Sequence, residues 1–340
     1  MKMLKLTASF AIAGMMATGA WAADVTLKMH QFLPPQANVP KLILEPWAER
    51  VEEASGGKIK IDHFPSMQLG GKPPELVSQV QDGVADIIWV VAGYTPGRFP
   101  QAEVFELPFM MTNAEDTSRA YWEFAEANMM DKDFKDLKIL GVWVHGPGVI
   151  HSADPVDEIS DLNGMTVRGP TRIITGMLGE LGATPKGMPV PAMPEALSKG
   201  VIDAGVIPWE VTAALKVPEL VENHTTFGDE SLYTAAFIFA MNKEKYESLP
   251  DDLKAAIDSQ SGADFSALAG KIMQESDGPA RELAEERGNN IIDLTPEQVA
   301  EWKEAASDVE AKWIAEMNDK GFDGQALVDQ ARGLIAKNSE

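Results

Sequence analysis

The sequence predicts an α/β protein of two lobes, and three observations carry that reading. Strand and helix patterns alternate early in the chain. The run "DVTLKMHQ" at 24–31 alternates like a strand, Leu42 to Ala54 has helical periodicity, 58–64 alternates again, and 74–81 is a short helix. That order is the grammar of a largely parallel sheet covered by helices. A helix–glycine–strand unit then occurs twice, as "LVSQVQDGVADIIWV" at 76–90 and "MPEALSKGVIDAGVIP" at 193–208. In each, a glycine (Gly83, Gly200) can adopt the left-handed backbone that ends a helix, and an aspartate (Asp86, Asp203) stands where the strand begins. An α/β protein can repeat such a turn by chance, but the wide spacing excludes a solenoid and suits two lobes on a related plan. Finally, 340 residues with 45% hydrophobic content allow two sizeable cores, and no Gly/Ser-rich linker divides them.

In chain order, Lys2 and Lys5 precede an apolar run from Leu6 to about Gly19, and Ala20-Trp21-Ala22 offers a small-x-small cleavage site. Residues 1–22 therefore read as a secretory signal peptide, too short for a membrane span, with the mature chain starting at Ala23. Gly56-Gly57 stops the first helix. Further helices are predicted from Ala114 to Met129, from Lys243 to about Arg287 with breaks near Pro250 and Gly278-Pro279, from Pro296 to Asn318, and from Gly324 to Lys337. Within "LTPEQVAEW" at 294–302, Thr295 is the N-cap, Pro296 opens the helix and Gln298 completes a capping box.

Composition narrows the function. The chain contains no cysteine, so neither disulfides nor a thiol nucleophile nor a lipid-anchoring cysteine after the leader is available. The expected product is a free periplasmic or secreted protein with no direct membrane insertion. Its formal charge of −23 becomes about −25 once Lys2 and Lys5 are removed, which makes nucleic acid and anionic membranes poor partners. No Gly-x-Ser-x-Gly elbow or phosphate-binding loop is present, and Gly146-Pro147-Gly148 is only a fragment of a dinucleotide fingerprint. The five histidines lack metal-ligand spacing, so no cofactor or metal is expected.

What remains is position. Ligands of open α/β sheets sit beyond the carboxyl ends of the strands. Those ends carry Phe32, Met67, Trp89, Tyr94, Trp143, His145, Arg168 with Pro170, and Trp209. An arginine fork can grip a carboxylate through charge-assisted hydrogen bonds, and aromatic faces can cover an apolar body. An arginine at a strand end can equally serve a structural ion pair, and a tryptophan there can equally be core.

"ISDLNGMTVRGP" followed by "LGATPKGMPVPAMPEALSKGVIDAGVIP" resembles the solute-binding proteins of TRAP (tripartite ATP-independent periplasmic) transporters, the DctP-type family. Asp161, Leu162, Gly164, Arg168, Gly182, Ala183, Pro189, Leu197, Gly200 and Asp203 fall on its pattern, and "FPQAEVFELPFM" and "MNKEKYESLP" are further landmarks. The resemblance implies the two-lobed periplasmic binding protein fold, type II-like, with strands and a long helix crossing the hinge. Lobe I would comprise 23–145 plus about 235–273. Lobe II would comprise 146–234 plus about 274–340, including the C-terminal helices. It further implies that Arg168 clamps a ligand carboxylate and that the loaded protein delivers an organic acid to a membrane permease.

Two departures bear on the ligand. Members that bind polar acids often carry a second arginine in the stretch that reads "GPGVIHSADPV" here, and many have "DGaEN" where this chain has Val206-Ile207 before Pro208-Trp209. The expected ligand is therefore an apolar or aromatic monocarboxylate held by Arg168 and the aromatic residues above. A four-carbon dicarboxylate or a small hydroxy or keto acid is the alternative. A dicarboxylate would need Arg98, Arg172, Lys186 or a histidine as a second clamp, and a metal-assisted mode would have to recruit Glu210 and Glu230. A periplasmic lyase or hydrolase is the competing class, disfavoured by the missing nucleophile and metal motifs.

Overall fold

The computed structural model describes residues 23–339, so the leader at 1–22 lies outside the described residues. The strands are β1 (Val25–His30), β2 (Ile59–Phe64), β3 (Ile87–Val91), β4 (Leu137–Val144), β5 (Gly148–Ser152), β6 (Thr166–Gly169), β7 (Thr184–Gly187), β8 (Ala204–Pro208), β9 (Asn223–Thr226), β10 (Ala236–Asn242) and β11 (Asn290–Asp293). They form two sheets, ordered β2-β1-β3-β10-β4 and β11-β9-β5-β8-β6-β7. Each is mainly parallel with one reversed strand in its interior: β10 runs against β3 and β4, and β5 runs against β8 and β9. Every residue of β3, β8 and β10 is buried, as expected for central strands covered on both faces.

The repeated unit is the same device in both lobes. Gly83 and Gly200 have φ of 73° and 64°, the left-handed backbone that ends each helix. Asp86 Oδ2 accepts from the Lys28 N–H of β1, and Asp203 Oδ2 accepts from the Thr166 N–H of β6, both at 2.7 Å. Each aspartate thus accepts from an amide of the neighbouring strand, two residues before His30 in β1 and two before Arg168 in β6. Register carries the match further. His30 faces Ile88 across β1 and β3, and Arg168 faces Gly205 across β6 and β8, so the two residues hold equivalent places in their lobes.

The chain passes between the lobes at 145–147, at 227–235, at Ser276 and again between helices Ser307–Asp319 and Gly324–Asn338. Helix Ala263–Glu275 packs on β4 and on helix Ala114–Asn128, whereas the following helix Asp277–Glu286 packs on the Trp209–Val211 turn of the second lobe. The predicted break at Gly278-Pro279 is displaced to Ser276. Pro279 lies in the first turn of the new helix, where its missing N–H would have no partner anyway. The stretch 296–318 is likewise two helices, Pro296–Ala305 and Ser307–Asp319, and the capping box forms with Gln298 N–H donating to Thr295 Oγ1.

The last helix departs from the expected boundary. Gly324–Asn338 packs on Ala114–Asn128 of the first lobe, burying Val328, Ala331 and Ile335, with Lys337 bound to Glu123 at 2.8 Å. Its apolar stripe was legible, but a stripe does not say which lobe it covers. Among the described residues no helix is long and apolar enough to cross a membrane.

Candidate functional site

Between the lobes, at the carboxyl ends of β1, β3, β6 and β8, lies a small cavity lined by residues of both. Its first-lobe wall is aromatic. The Trp89 ring stacks on Phe32 at 4.7 Å and on Phe237 at 5.0 Å, and Tyr94 tilts against Phe32 at 5.6 Å. Tyr233 reaches the cavity over Gly148, where any Cβ would sit 2.1 Å from its ring. The second lobe supplies Ile207, Pro208, Pro170, Val190 and two ionisable side chains, Arg168 and Glu210.

Arg168 is 1% exposed. Its Nε donates to the Met188 carbonyl and its Nη1 to the Val206 carbonyl, both at 2.9 Å, which fixes the plane of the fork. Its Nη2 is buried with no partner. The phenols of Tyr94 and Tyr233 lie beside it, and burial pushes the pKa of both phenols up, so they remain neutral donors. A buried guanidinium with one unpartnered nitrogen, in a residue that lines an apolar cavity, has the chemistry to donate to one carboxylate oxygen.

His145 contributes no charge. Its Nδ1–H donates to the Gly146 carbonyl and its Nε2 accepts from the Ala235 N–H, so both ring nitrogens are committed. Burial, helped by nearby Arg168 and opposed by the Gly146 hydrogen bond, lowers its pKa to about 4.

The lobes are clasped around this cavity. Tyr94 Oη accepts from the Val190 N–H at 2.9 Å, and the Asn38 amide donates to the Glu210 carbonyl at 2.7 Å. Thr171 Oγ1 donates to Glu106 Oε2 at 2.7 Å. That contact is possible because Gly93 leaves room, since a Cβ there would meet Thr171 at 2.4 Å. Arg172 grips Glu103 and also reaches Glu316 at 2.7 Å. Burial raises the Glu106 carboxyl to about 8, against the hydrogen bonds from Thr171 and the Ala236 N–H that lower it.

Of the residues singled out in the sequence, Arg168, Phe32, Trp89, Tyr94, His145 and Pro170 line the cavity. Trp143, Met67 and Trp209 do not. Trp143 is fully buried behind the wall, 6.3 Å from Trp89 and edge-on to Phe265. Met67 sits in the left-handed turn Ser66-Met67 after β2, with its N–H bound to the Gln31 carbonyl. Trp209 starts a tight 3₁₀ turn after β8 that sends its ring to the far side, between His151 and His224 at 5.1 and 4.9 Å.

The proposed second clamps are engaged elsewhere. Arg172 is held by Glu103 and Glu316, Arg98 bonds Gln81, and Lys186 is exposed on β7. Among the described residues Arg168 is the one permanently charged cation lining the cavity, and no three His, Asp or Glu converge as metal ligands. Glu230 pairs with Lys303. Sequence reading missed Glu210, Tyr233 and Phe237 as cavity residues. The last two enter from the start of β10, whose reversed direction puts its amino end at the same rim, and a reading by strand carboxyl ends overlooks it.

Two α/β lobes closed over a small cavity with one buried, half-satisfied guanidinium define a two-lobed solute-binding protein. Residues 30–316 match the model of DctP, "Bacterial extracellular solute-binding protein, family 7", and the chain belongs to that family. It is a periplasmic TRAP-type solute-binding protein, which holds and hands over its solute rather than transforming it. It is similar to a TRAP solute-binding protein from Rhodoferax ferrireducens in complex with copurified benzoate, at 49% identity and TM-score 0.91 over 92% of this chain and 98% of that one. A marine metagenome protein described as specific for aromatic acid ligands, in complex with 3-hydroxybenzoate, is 50% identical with TM-score 0.91, covering 94% of this chain and all of that one. The ectoine/5-hydroxyectoine-binding periplasmic protein UehA of Ruegeria pomeroyi is more distant, at 25% identity over 96% of this chain and 95% of its own.

Proposed function

We propose that the protein captures an aromatic monocarboxylate in the periplasm and delivers it to a TRAP membrane permease. The observation that carries this reading is the unpartnered Nη2 of Arg168, facing a cavity whose wall is built on the Phe32–Trp89–Phe237 stack. One carboxylate oxygen satisfies the guanidinium, and an aromatic ring gains offset stacking and apolar burial against that wall. The benzoate and 3-hydroxybenzoate held by the two proteins of about half-identical sequence support the same ligand class. With a single cation lining the cavity, a second carboxylate would enter without a counter-charge. Delivery to a permease follows from membership of the TRAP-type family.

The test is a thermal-shift and calorimetric screen of the chain from Ala23 onward. Benzoate is compared with succinate, malate, lactate, pyruvate and ectoine. A ligand at a hundred times its Kd stabilises the native state by about 2.7 kcal/mol, so a true ligand stands out. Benzoate is expected to raise Tm and the others to leave it in place. Stabilisation by a four-carbon dicarboxylate alone would overturn the reading.

A further inference from the structure

Glu210 is the polar feature of the cavity that a carboxylate clamp does not use. It is 2% exposed, it lines the cavity, and its Oε2 is buried with no hydrogen-bond partner. Its backbone is fully committed. The N–H donates to Asp277 Oδ1 at 2.8 Å, and the carbonyl accepts from the Asn38 amide at 2.7 Å. With both main-chain groups pinned, one from each lobe's side of the cavity, the side chain is the only part of the residue left to meet a ligand.

Glu210 is also displaced from the clamp. Arg168 Nη1 is anchored on the Val206 carbonyl in β8, whereas Glu210 follows four residues later, past the end of that strand and on the order of 10 Å along the chain direction. The groups acting electrostatically on Arg168 are the Tyr94 and Tyr233 phenols, and the charge acting on Glu210 is that of Asp277. The cavity is therefore polar at two places: a cationic corner and an acidic one.

We propose that Glu210 is a specificity-determining residue whose carboxyl group meets a hydroxyl on the ligand's aromatic ring. The proposal rests on the aromatic monocarboxylate reading and adds the substituent. Burial, and secondarily the neighbouring Asp277 carboxyl, raises the Glu210 carboxyl to about 8, and burial raises Asp277 to about 8 as well, so near neutral pH Glu210 is a carboxylic acid that can both donate and accept. A phenolic hydroxyl is its complement, being donor and acceptor at once. A bare ring leaves Oε2 desolvated and unsatisfied, and a ring carboxylate is excluded on a separate ground, because it would bury a second anion with no second cation lining the cavity to match it.

Isothermal titration calorimetry at pH 7 tests this with benzoate, the three monohydroxybenzoates, and benzene-1,3- and 1,4-dicarboxylate on the parent, Glu210→Met and Glu210→Gln. The parent is expected to bind one hydroxybenzoate about tenfold more tightly than benzoate, and to bind neither dicarboxylate. Glu210→Met should lose the hydroxyl preference, read as the ratio of hydroxybenzoate to benzoate affinity within the same variant. Glu210→Gln, which preserves the size and hydrogen-bonding capacity of the side chain, should keep that preference and, like the parent, bind neither dicarboxylate. A parent that binds benzoate and all hydroxybenzoates within twofold overturns this assignment while leaving the aromatic reading intact. So does a preference that survives in Glu210→Met. A parent that binds none of these acids overturns both together.

Discussion

Replacing Arg168 by glutamine removes the one permanent cation that lines the cavity among the described residues and leaves an amide in its place. The guanidinium spends Nε and Nη1 on the carbonyls of Met188 and Val206, so the ligand's share is Nη2. One charge-assisted hydrogen bond contributes about 1.5–3 kcal/mol, and a carboxylate enclosed without its counter-charge costs more still. A loss of about 2–4 kcal/mol follows, which is roughly 30- to 1000-fold in Kd. The substitution also frees the two carbonyls, so the variant's unliganded stability has to be measured separately by thermal unfolding. Calorimetric titration of the folded variant with benzoate reads the clamp itself. Arg168→Lys, which keeps a charge but not the planar fork, is expected to fall between variant and parent. A folded Arg168→Gln variant that binds benzoate within threefold of the parent would refute the clamp, whatever the ligand's ring does.

Three further outcomes follow from the geometry. Trp209→Phe should leave benzoate affinity within twofold of the parent, because that ring packs between His151 and His224, while Trp89→Leu should weaken it by about 1–2 kcal/mol; titrations of the two variants giving equal losses would contradict the wall described here. Glu106 titrates near 8 in the fold against 4.5 as a free group, because burial disfavours its anion. Between those values the folded state binds more protons than the unfolded chain, so stability falls as pH rises from about 4.5 to 8. Glu106→Gln should make Tm between pH 5 and 8.5 less steep and raise it at pH 8, and an unchanged slope would refute the assignment. Arg172→Ala removes the Arg172–Glu103 clasp without touching the cavity, and should weaken ligand binding by about 1–2 kcal/mol through faster release, read by stopped-flow displacement.

Much of the fold was legible because it depends on local signals. The two Gly–Val–x–Asp turns declare themselves by residue type, and their aspartates do the same task in both lobes, accepting from an amide of the neighbouring strand, Lys28 in β1 and Thr166 in β6. Arg168 was legible because a strand that ends in an arginine is costly without a partner. Trp209 illustrates the limit. Pro208, Glu210 and Val211 line the cavity while Trp209 turns away, and that choice is made by a 3₁₀ turn whose sense no hydrophobic pattern encodes. Trp143 and Trp89 differ in the same way. Both lie in buried strands, and only the packing of Phe265 behind one and Phe32 in front of the other decides which faces the ligand. The C-terminal helix was visible as an amphipathic stripe, but its lobe is fixed by long-range pairs such as Lys337–Glu123.

The charge inventory of the cavity connects binding to closure. Near neutral pH Arg168 carries a charge, His145 is neutral, and Glu210 is held largely protonated. Closing the lobes over that set encloses one uncompensated guanidinium, which is penalised in a medium that cannot solvate it. A monocarboxylate cancels the charge, so it favours the closed state over the open one by the same interaction that binds it. A neutral molecule of the same shape gains the aromatic wall but not this difference, and a dianion replaces one uncompensated charge with another. The proposed selectivity for a single negative charge is therefore a property of closure rather than of contact. It rests on which cations the fold keeps out of the cavity: Arg172 is tied to Glu103 and Glu316, and Arg98 to Gln81. Arg172 works in the clasp between the lobes, which leaves Arg168, among the described residues, as the one permanent cation lining the cavity.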